Sequence, residues 1–411
     1  MALLPVEDAL ERLLKAARPP ERTESVPLHE ACDRVLASNV VARLTQPPFD
    51  NSAMDGYALR HADILQVGTV LRVIGRSAAG HAFTGSVGPG ETVRIFTGAP
   101  LPAGADTVLL QEDAENLDDN RIRTAFVPPK GRHIRPRGQD FVEGEAVLEH
   151  GDLLDAGRLT VAAAMNHPVL NVYARPKVAL LATGDELVPP GSALGPSQIV
   201  ASNSYGVAAL AREAGAEVID LGIAADDPNA ILDAVDWAKA CGADVLVTLG
   251  GASVGDLDLV QPVLLSAGME LDFWKIAMRP GKPLMVGKLG GMQILGLPGN
   301  PVSSMVCALL FLEPLVRQLA RMPQPDRRTF AVAGAPLPAN DQRQDYVRAK
   351  VELRSDGVLE ATPFQAQDSS MMKLFAAADC LIVRPPRAER AEIGDPCEIL
   401  LLRPRPTGSV C

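Results

Sequence analysis

Positive charge is in short supply in this chain: 39 Lys and Arg stand against 50 Asp and Glu, a formal net charge of -11. A general nucleic-acid or membrane-surface binder needs a basic face, so both are excluded as expectations, although a local basic site for a small anion is not. Cys32, Cys241, Cys307, Cys380, Cys397 and Cys411 include no C-x-x-C pair, which removes a zinc knuckle and a thioredoxin-like motif. The six histidines form no H-x-x-x-H, so no zincin site is expected. Such cysteine usage predicts a reducing, cytoplasmic compartment. The N-terminal MALLPVEDALERLLKAARPP has no basic n-region or continuous apolar core and is not read as a signal peptide. The most apolar helix, around residues 305–316, is expected to be too short to span a bilayer because Glu313 and Pro314 interrupt it. Low-complexity tracts and a Walker A lysine motif are also missing, and a P-loop NTPase is therefore not expected.

What the chain does have is apolar residue, 47% over 411 positions, enough for several cores and two to four domains. Residues 1–45 read as an amphipathic helix followed by short segments. From 46 to 140, short apolar runs (VLRVIG, ETVRIF, DTVLLQED) alternate with Gly/Pro punctuation, the pattern of a small β-rich domain. Helix-like GRLTVAAAMNH within 141–175 returns to the character of the start, so the β-rich piece reads as an insertion into an elongated N-terminal, dimerisation-type domain made of 1–45 and 141–175. Over 176–324 apolar strands (KVALLATG, EVIDLG, DVLVTLGG, QILGLPG) alternate with amphipathic helices, predicting an α/β domain with a parallel-type sheet covered on both faces. After the Pro-rich PQPDRR linker, residues 325–411 alternate strands and turns and predict a C-terminal β domain. The fold class is thus multidomain α/β plus β.

The chemistry concentrates in residues 245–304. Two apolar runs end in Gly-rich turns, GGASVGD and LPGNP, which let backbone N–H groups approach an anion closely. GGASVGD is not the G-x-G-x-x-G dinucleotide fingerprint. Between them Lys275, Arg279 and Lys282 lie on a segment stiffened by Pro280, Gly281 and Pro283, which favours positioned charges over a solvated face. Glu186, Asp226 and Asp258 follow three successive strands of the predicted parallel sheet, whose carboxyl ends are where such sheets hold ligands. Structural readings compete: TGDE can be a loop with a helix-capping acid, Asp227-Pro228 and Asn300-Pro301 both look like helix caps with proline at the first helical position, which leaves Asp226 spare, and Asp256 could cap the next helix. As a set beside a basic segment, the carboxylates suit a magnesium site on a phosphate, since Mg²⁺ prefers oxygen ligands.

The segments PPFDNSAMDGYA, RIFTGAPLPAGADTV, RPRGQD, VALLATGDEL, GIAADDP, TLGGASVGDLDLV, FWKIAMRPGKP and LPGNPVSS, in this order over nearly the whole chain, resemble one family. It is the molybdopterin molybdenumtransferases, MoeA-type molybdenum insertases related to the E domain of gephyrin. The resemblance implies a homodimer of elongated four-domain subunits with the cleft between the α/β domain of one subunit and the inserted domain of the other. It also implies that adenylylated molybdopterin and molybdate give molybdenum cofactor and AMP in a magnesium-dependent step, with a molybdopterin adenylyltransferase and molybdoenzyme chaperones as neighbours in the pathway. Position by position, Asp55, Thr97 and Asp140 match functional positions of the inserted side; Glu186, Asp226 and Asp258 match acidic, metal-type positions; and Lys275 and Lys282 match basic ones. Gly250, Gly251, Ser253, Gly255, Arg279, Pro298, Gly299, Asn300, Pro301 and Ser303 are expected to bind substrate, Ser303 as a molybdate contact. Arg348 resembles a molybdate-contacting arginine of the last domain, with Arg343 as the alternative.

Two positions depart from the family pattern. Arg279 stands where a lysine is common, and Ala201 stands where an acidic residue often precedes Asn203. Planar, bidentate guanidinium is not a copy of an ammonium group. The rival readings are a molybdopterin adenylyltransferase, a non-catalytic gephyrin-like scaffold, and tungstate in place of molybdate.

Overall fold

The computed structural model describes residues 3–251 and 258–403, which fall into two compact units, Glu24–Val172 and Met1–Thr23 with Tyr173–Cys411.

At the centre of the second of these is a six-stranded sheet in the order Glu217–Ala224, Lys177–Thr183, Val245–Leu249, Met292–Leu297, Met285–Leu289, Glu270–Phe273. The first four strands are parallel, as their near-continuous apolar runs predict. Alternation along Lys177–Thr183 sends Val178, Leu180 and Ala182 into one core and Ala179 and Leu181 into another, so both faces are covered. The sheet is not purely parallel, however. Met285–Leu289 and Met292–Leu297 form an antiparallel hairpin across Gly290-Gly291, with Gly290 at φ 61°. Two glycines between apolar runs are a hairpin signal that the βα reading passes over.

Two further expectations change. The sequence pattern groups the helix Val6–Ala16 with 1–45, yet its stripe of Val6, Ala9 and Leu13 packs into the first α/β core beside Leu180, Leu315 and Leu319. Its i, i+3, i+7 spacing identifies a helix but not the surface it covers. The apolar stretch after LPGNP is not interrupted at Glu313-Pro314: one helix runs through Pro301–Leu319, with a wider π turn at Ala308–Leu312. That loosened turn accommodates the missing N–H and the ring of Pro314. Buried Glu313 is matched by Arg327 at 2.8 Å and Arg317 at 3.4 Å. The helix is long and apolar enough to cross a membrane, but 78% of its apolar window is buried inside the protein, which makes it a core helix.

In the C-terminal β domain, Gln344–Leu353 pairs with Cys380–Arg384 through its first half and with Leu359–Pro363 through its second. Arg328–Ala333 and Pro396–Leu401 complete a closed ring of strands. A sixth strand, Met278–Arg279, comes from the α/β region and adds parallel to Gln344–Leu353.

The unit Glu24–Val172 holds a six-stranded, mainly antiparallel sheet that includes Gly56–Leu59, Glu91–Ile95 and Thr107–Leu110, with no α-helix within 46–140. The helix Ala156–Ala164, capped by Asp155 accepting from the Arg158 N–H, packs into a separate small core containing Leu36, Leu154 and Met165.

Candidate functional site

Beyond the carboxyl ends of the parallel strands opens a cavity of about 660 Å³. Glu186, Asp226, Gly250, Gly251, Asp258 and Lys282 line it, together with Pro298, Gly299, Asn300 and Pro301. Strand ends bring these residues together because each parallel strand must turn at the same sheet edge. The turns lock one another: the Asp226 N–H donates to Asp185 Oδ1 at 3.1 Å, and the Asp185 N–H to Asp226 Oδ2 at 3.4 Å. Asp227 caps Pro228–Ala240 by accepting from the Ala230 N–H, so the structural reading of that residue holds and Asp226 is the one on the cavity. Gly250 has φ 98°, and a Cβ there would lie 2.9 Å from the Thr183 carbonyl oxygen. Glycine is thus required for the turn to close over the strand end. Beneath it, the Thr183 hydroxyl is buried with no protein partner. Among the described residues no three His, Cys, Asp or Glu side chains converge into a ready-made metal cluster.

Ala201, at the departure noted above, is buried on the wall of this cavity and supplies no ligand atom from its side chain. Asn203 is used structurally: its Nδ2 donates to the Gly299 carbonyl at 2.8 Å and holds the LPGNP turn. Asn300 occupies the N-cap position with Pro301 behind it, but its side chain makes no capping bond. Ser253 and Gly255, expected to bind substrate, and Asp256, weighed as a cap, lie outside the described residues.

A second cavity, about 740 Å³, adjoins the first and shares Lys282 and Asn300 with it. Its polar wall carries Arg279, Ser303, Arg343, Asp345 and Arg384; its apolar wall includes Pro336, Pro338, Pro363 and Phe364 of the C-terminal domain. Ser303, 4% exposed, sits in the first turn of the long helix. Gly281 has φ 128° and a Cβ on it would meet Met278 Cε at 2.6 Å, so only glycine lets the chain pass between Arg279 and Lys282 as it does.

The two candidate arginines occupy different layers. Arg343 lines the cavity, held by Asp341 at 2.7 Å. Arg343 also pulls the Asp341 carboxyl down to about 2, chiefly through its side-chain hydrogen bond. Arg348 lies behind the wall at 1% exposure. Its Nε donates to Gln367 Oε1 at 3.2 Å and its Nη1 to the Asp368 carbonyl at 2.9 Å, while Nη2 is buried without a partner. Burial lowers its pKa, with Asp368 opposing. Gln367 also bonds the Arg348 backbone on both sides, accepting from its N–H at 3.0 Å and donating to its carbonyl at 3.0 Å. Beyond it, the Ser369 carbonyl accepts from the Val302 N–H at 3.0 Å, tying this loop to the helix that carries Ser303. No sequence spacing announces Gln367, Asp341 or Asp345 as parts of the site.

Lys275 lines neither cavity; its ammonium lies 5.1 Å from the Trp274 ring, on a segment that bridges to Leu4.

In the other unit, the pairing Gly56↔Ile95 places Asp55 and Thr97 side by side. Asp55 Oδ1 accepts from both the Thr97 N–H and its hydroxyl, each at 2.8 Å. These bonds, the backbone one first, hold the Asp55 carboxyl below the usual range. A Cβ on Gly56 would come 2.0 Å from the Leu109 carbonyl oxygen, which explains the glycine of MDGYA. Asp140 is exposed and its N–H donates to the Gln46 carbonyl at 3.0 Å.

Three family descriptions match in succession: the MoeA N-terminal region (domain I and II) over residues 4–166, a probable molybdopterin-binding domain over 179–318, and the MoeA C-terminal region (domain IV) over 331–402. The molybdopterin molybdenumtransferase of Haemophilus influenzae is 36% identical over 93% of this chain and 94% of its own length. That of a Nostoc species is 37% identical over 82% of this chain and 79% of its own. A crystal structure of the molybdopterin biosynthesis MoeA protein from Pyrococcus horikoshii superposes with a TM-score of 0.82 at 30% identity, covering 98% of this chain and all of that one. Similarity of this extent, in sequence and fold alike, means that the chain belongs to the MoeA family of molybdopterin molybdenumtransferases.

Proposed function

We propose that this protein inserts molybdenum into molybdopterin, converting adenylylated molybdopterin and molybdate into molybdenum cofactor and AMP. One observation carries the reading: an acidic cavity and a basic one meet at Lys282 and Asn300. Phosphoanhydride and oxyanion are both anionic, so the acidic cavity suits the first with a divalent cation between them, and the basic cavity suits the second directly.

Magnesium suits the acidic cavity, because Glu186, Asp226 and Asp258 offer hard carboxylate oxygens and Mg²⁺ is commonly held by one or two carboxylates plus substrate phosphates. Bound there, it would neutralise phosphate charge. The chain's own groups do the rest. Gly250 and Gly251 let the backbone approach the phosphates, and the buried Thr183 hydroxyl offers a hydrogen bond at the cavity floor. Lys282 and the Ser303 hydroxyl hold molybdate by charge-assisted bonds. Fixing the two reactants in adjoining cavities supplies much of the acceleration by orientation alone.

The same reading includes a cytoplasmic homodimer in which the Asp55–Thr97 pair and Asp140 of one subunit serve the cavities of the other. It receives substrate from a molybdopterin adenylyltransferase and hands product to molybdoenzyme chaperones. Matches along the whole chain favour the insertase over the adenylyltransferase or scaffold alternatives. The test is AMP release and cofactor formation from adenylylated molybdopterin with molybdate and Mg²⁺. A purified protein that binds this precursor but turns none of it over sinks the reading. Sedimentation at micromolar concentration tests the dimer, and competition by tungstate tests the choice of oxyanion.

A further inference from the structure

Arg279 has the charge expected of an oxyanion ligand, but one edge of its guanidinium fork is already occupied. Its Nε donates to Asp345 Oδ1 at 2.8 Å and its Nη2 donates to Asp345 Oδ2, while Nη1 faces Asp341 Oδ2 at 3.9 Å. The Nε–Nη2 edge is therefore spent on Asp345, and Nη1 lies within ion-pair range of Asp341 but beyond hydrogen-bond distance. Lys282, three residues on, has no ion-pair partner among the described residues and lines both cavities.

The backbone explains the pairing. Met278–Arg279 lies parallel to the start of Gln344–Leu353, in register Met278↔Gln344 and Arg279↔Asp345. The Gln344 N–H donates to the Ala277 carbonyl at 2.8 Å, so the basic segment is an added strand of the C-terminal sheet. Two residues of pairing are a weak attachment by themselves, since even a two-stranded hairpin is marginal. A bidentate side-chain fork across that same register step is what a lysine could not supply.

We propose that Arg279 is a positioning residue: through Asp345 it fixes the basic segment to the C-terminal sheet and so places Lys282 for the oxyanion, without binding the oxyanion itself. This rests on the reading of the basic cavity as the molybdate site. The residue that departs from the family's lysine therefore works through a carboxylate partner on the opposite domain.

The test measures molybdate affinity by equilibrium dialysis on the full-length protein, with melting temperature alongside. The variants are Arg279→Gln, Asp345→Asn and the exchange Arg279→Asp with Asp345→Arg. Both single variants are expected to weaken molybdate binding about tenfold, the change that ~1.4 kcal/mol produces. The exchange is expected to recover most of that loss. The two roles for Arg279 give opposite signs for Asp345→Asn: a ligand freed from its competing carboxylate would bind molybdate as well or better. Unchanged or tighter binding in Asp345→Asn overturns the proposal, and so does Arg279→Gln with wild-type affinity. If the exchange variant fails to fold, Asp345→Asn decides alone. Wild-type protein that binds molybdate yet releases no AMP refutes the functional reading and leaves this inference standing.

Discussion

The two adjoining cavities share Lys282 and Asn300 but are built in different ways. Around the acidic one, most wall residues sit within a few positions of a strand end of a single sheet, with residues 199–204 the main exception, and short turns such as Gly184 to Glu186 do the positioning. Around the basic one, the wall is assembled from two sheets joined at a two-residue strand, with Asp345, Gln367 and Ser369 arriving from the C-terminal domain. A site on one sheet inherits the rigidity of that sheet. A site between two sheets depends on whatever fixes them to each other, so distant substitutions should disturb it selectively.

The sharpest break of this contrast is Asp258→Ala. It removes a carboxylate of the acidic cavity, and turnover from adenylylated molybdopterin should fall at least about a hundredfold, the scale of losing one preorganised electrostatic group. Circular dichroism and melting temperature should stay near wild type; AMP release at the wild-type rate would remove Asp258 from the mechanism. Removing magnesium with EDTA should abolish turnover and leave molybdate binding by dialysis within about twofold, because the oxyanion groups lie in the other cavity. Gln367→Ala tests the seam. It removes the Gln367 bonds to the Nε, N–H and carbonyl of Arg348, leaving Nη1 on the Asp368 carbonyl, and should cost about 2 kcal/mol of stability, in the range for hydrogen bonds to a charged group. It should raise the molybdate KM more than the KM for the pterin substrate, and equal rises would erase the distinction between the cavities. Ser303→Ala should weaken molybdate about fivefold to tenfold, the scale of one net hydrogen bond of about 1 kcal/mol.

The smallest effect is a titration. Because Arg343 depresses Asp341, any stability this carboxylate adds is present above its ordinary range and is lost as pH falls through about 2. Carboxyl NMR should find Asp341 still ionised near pH 3, and Arg343→Gln should return it toward the usual carboxylate range. A normal titration in the parent protein would show that the pair does not persist in solution.

This difference in construction also sets how much could be read from the residues. Glu186, Asp226, Asp258 and the Gly250-Gly251 turn were legible because each follows an apolar run whose strand identity the pattern specifies. Asp55 and Thr97 were named by resemblance alone, and the register Gly56↔Ile95 supplies the physical reason they meet. The partners of the basic cavity were not legible. Asp345 lies 66 residues from Arg279, and two residues of strand carry no period. Lys275 illustrates the converse: it shares a basic segment with Lys282, yet its ammonium stacks on Trp274. Burial of Arg348 was equally hidden, since an arginine in an alternating strand is ordinarily read as solvent-facing.

The helix Val6–Ala16 has a consequence for synthesis of the chain. Gln318 donates to the Leu14 carbonyl across 304 residues, and the core that receives Leu13 includes Leu315 and Leu319. At about 5–20 residues per second, the helix leaves the ribosome roughly 15 to 60 s before its binding surface is made. Over that interval an amphipathic segment with part of its partner surface still unmade is available to chaperones.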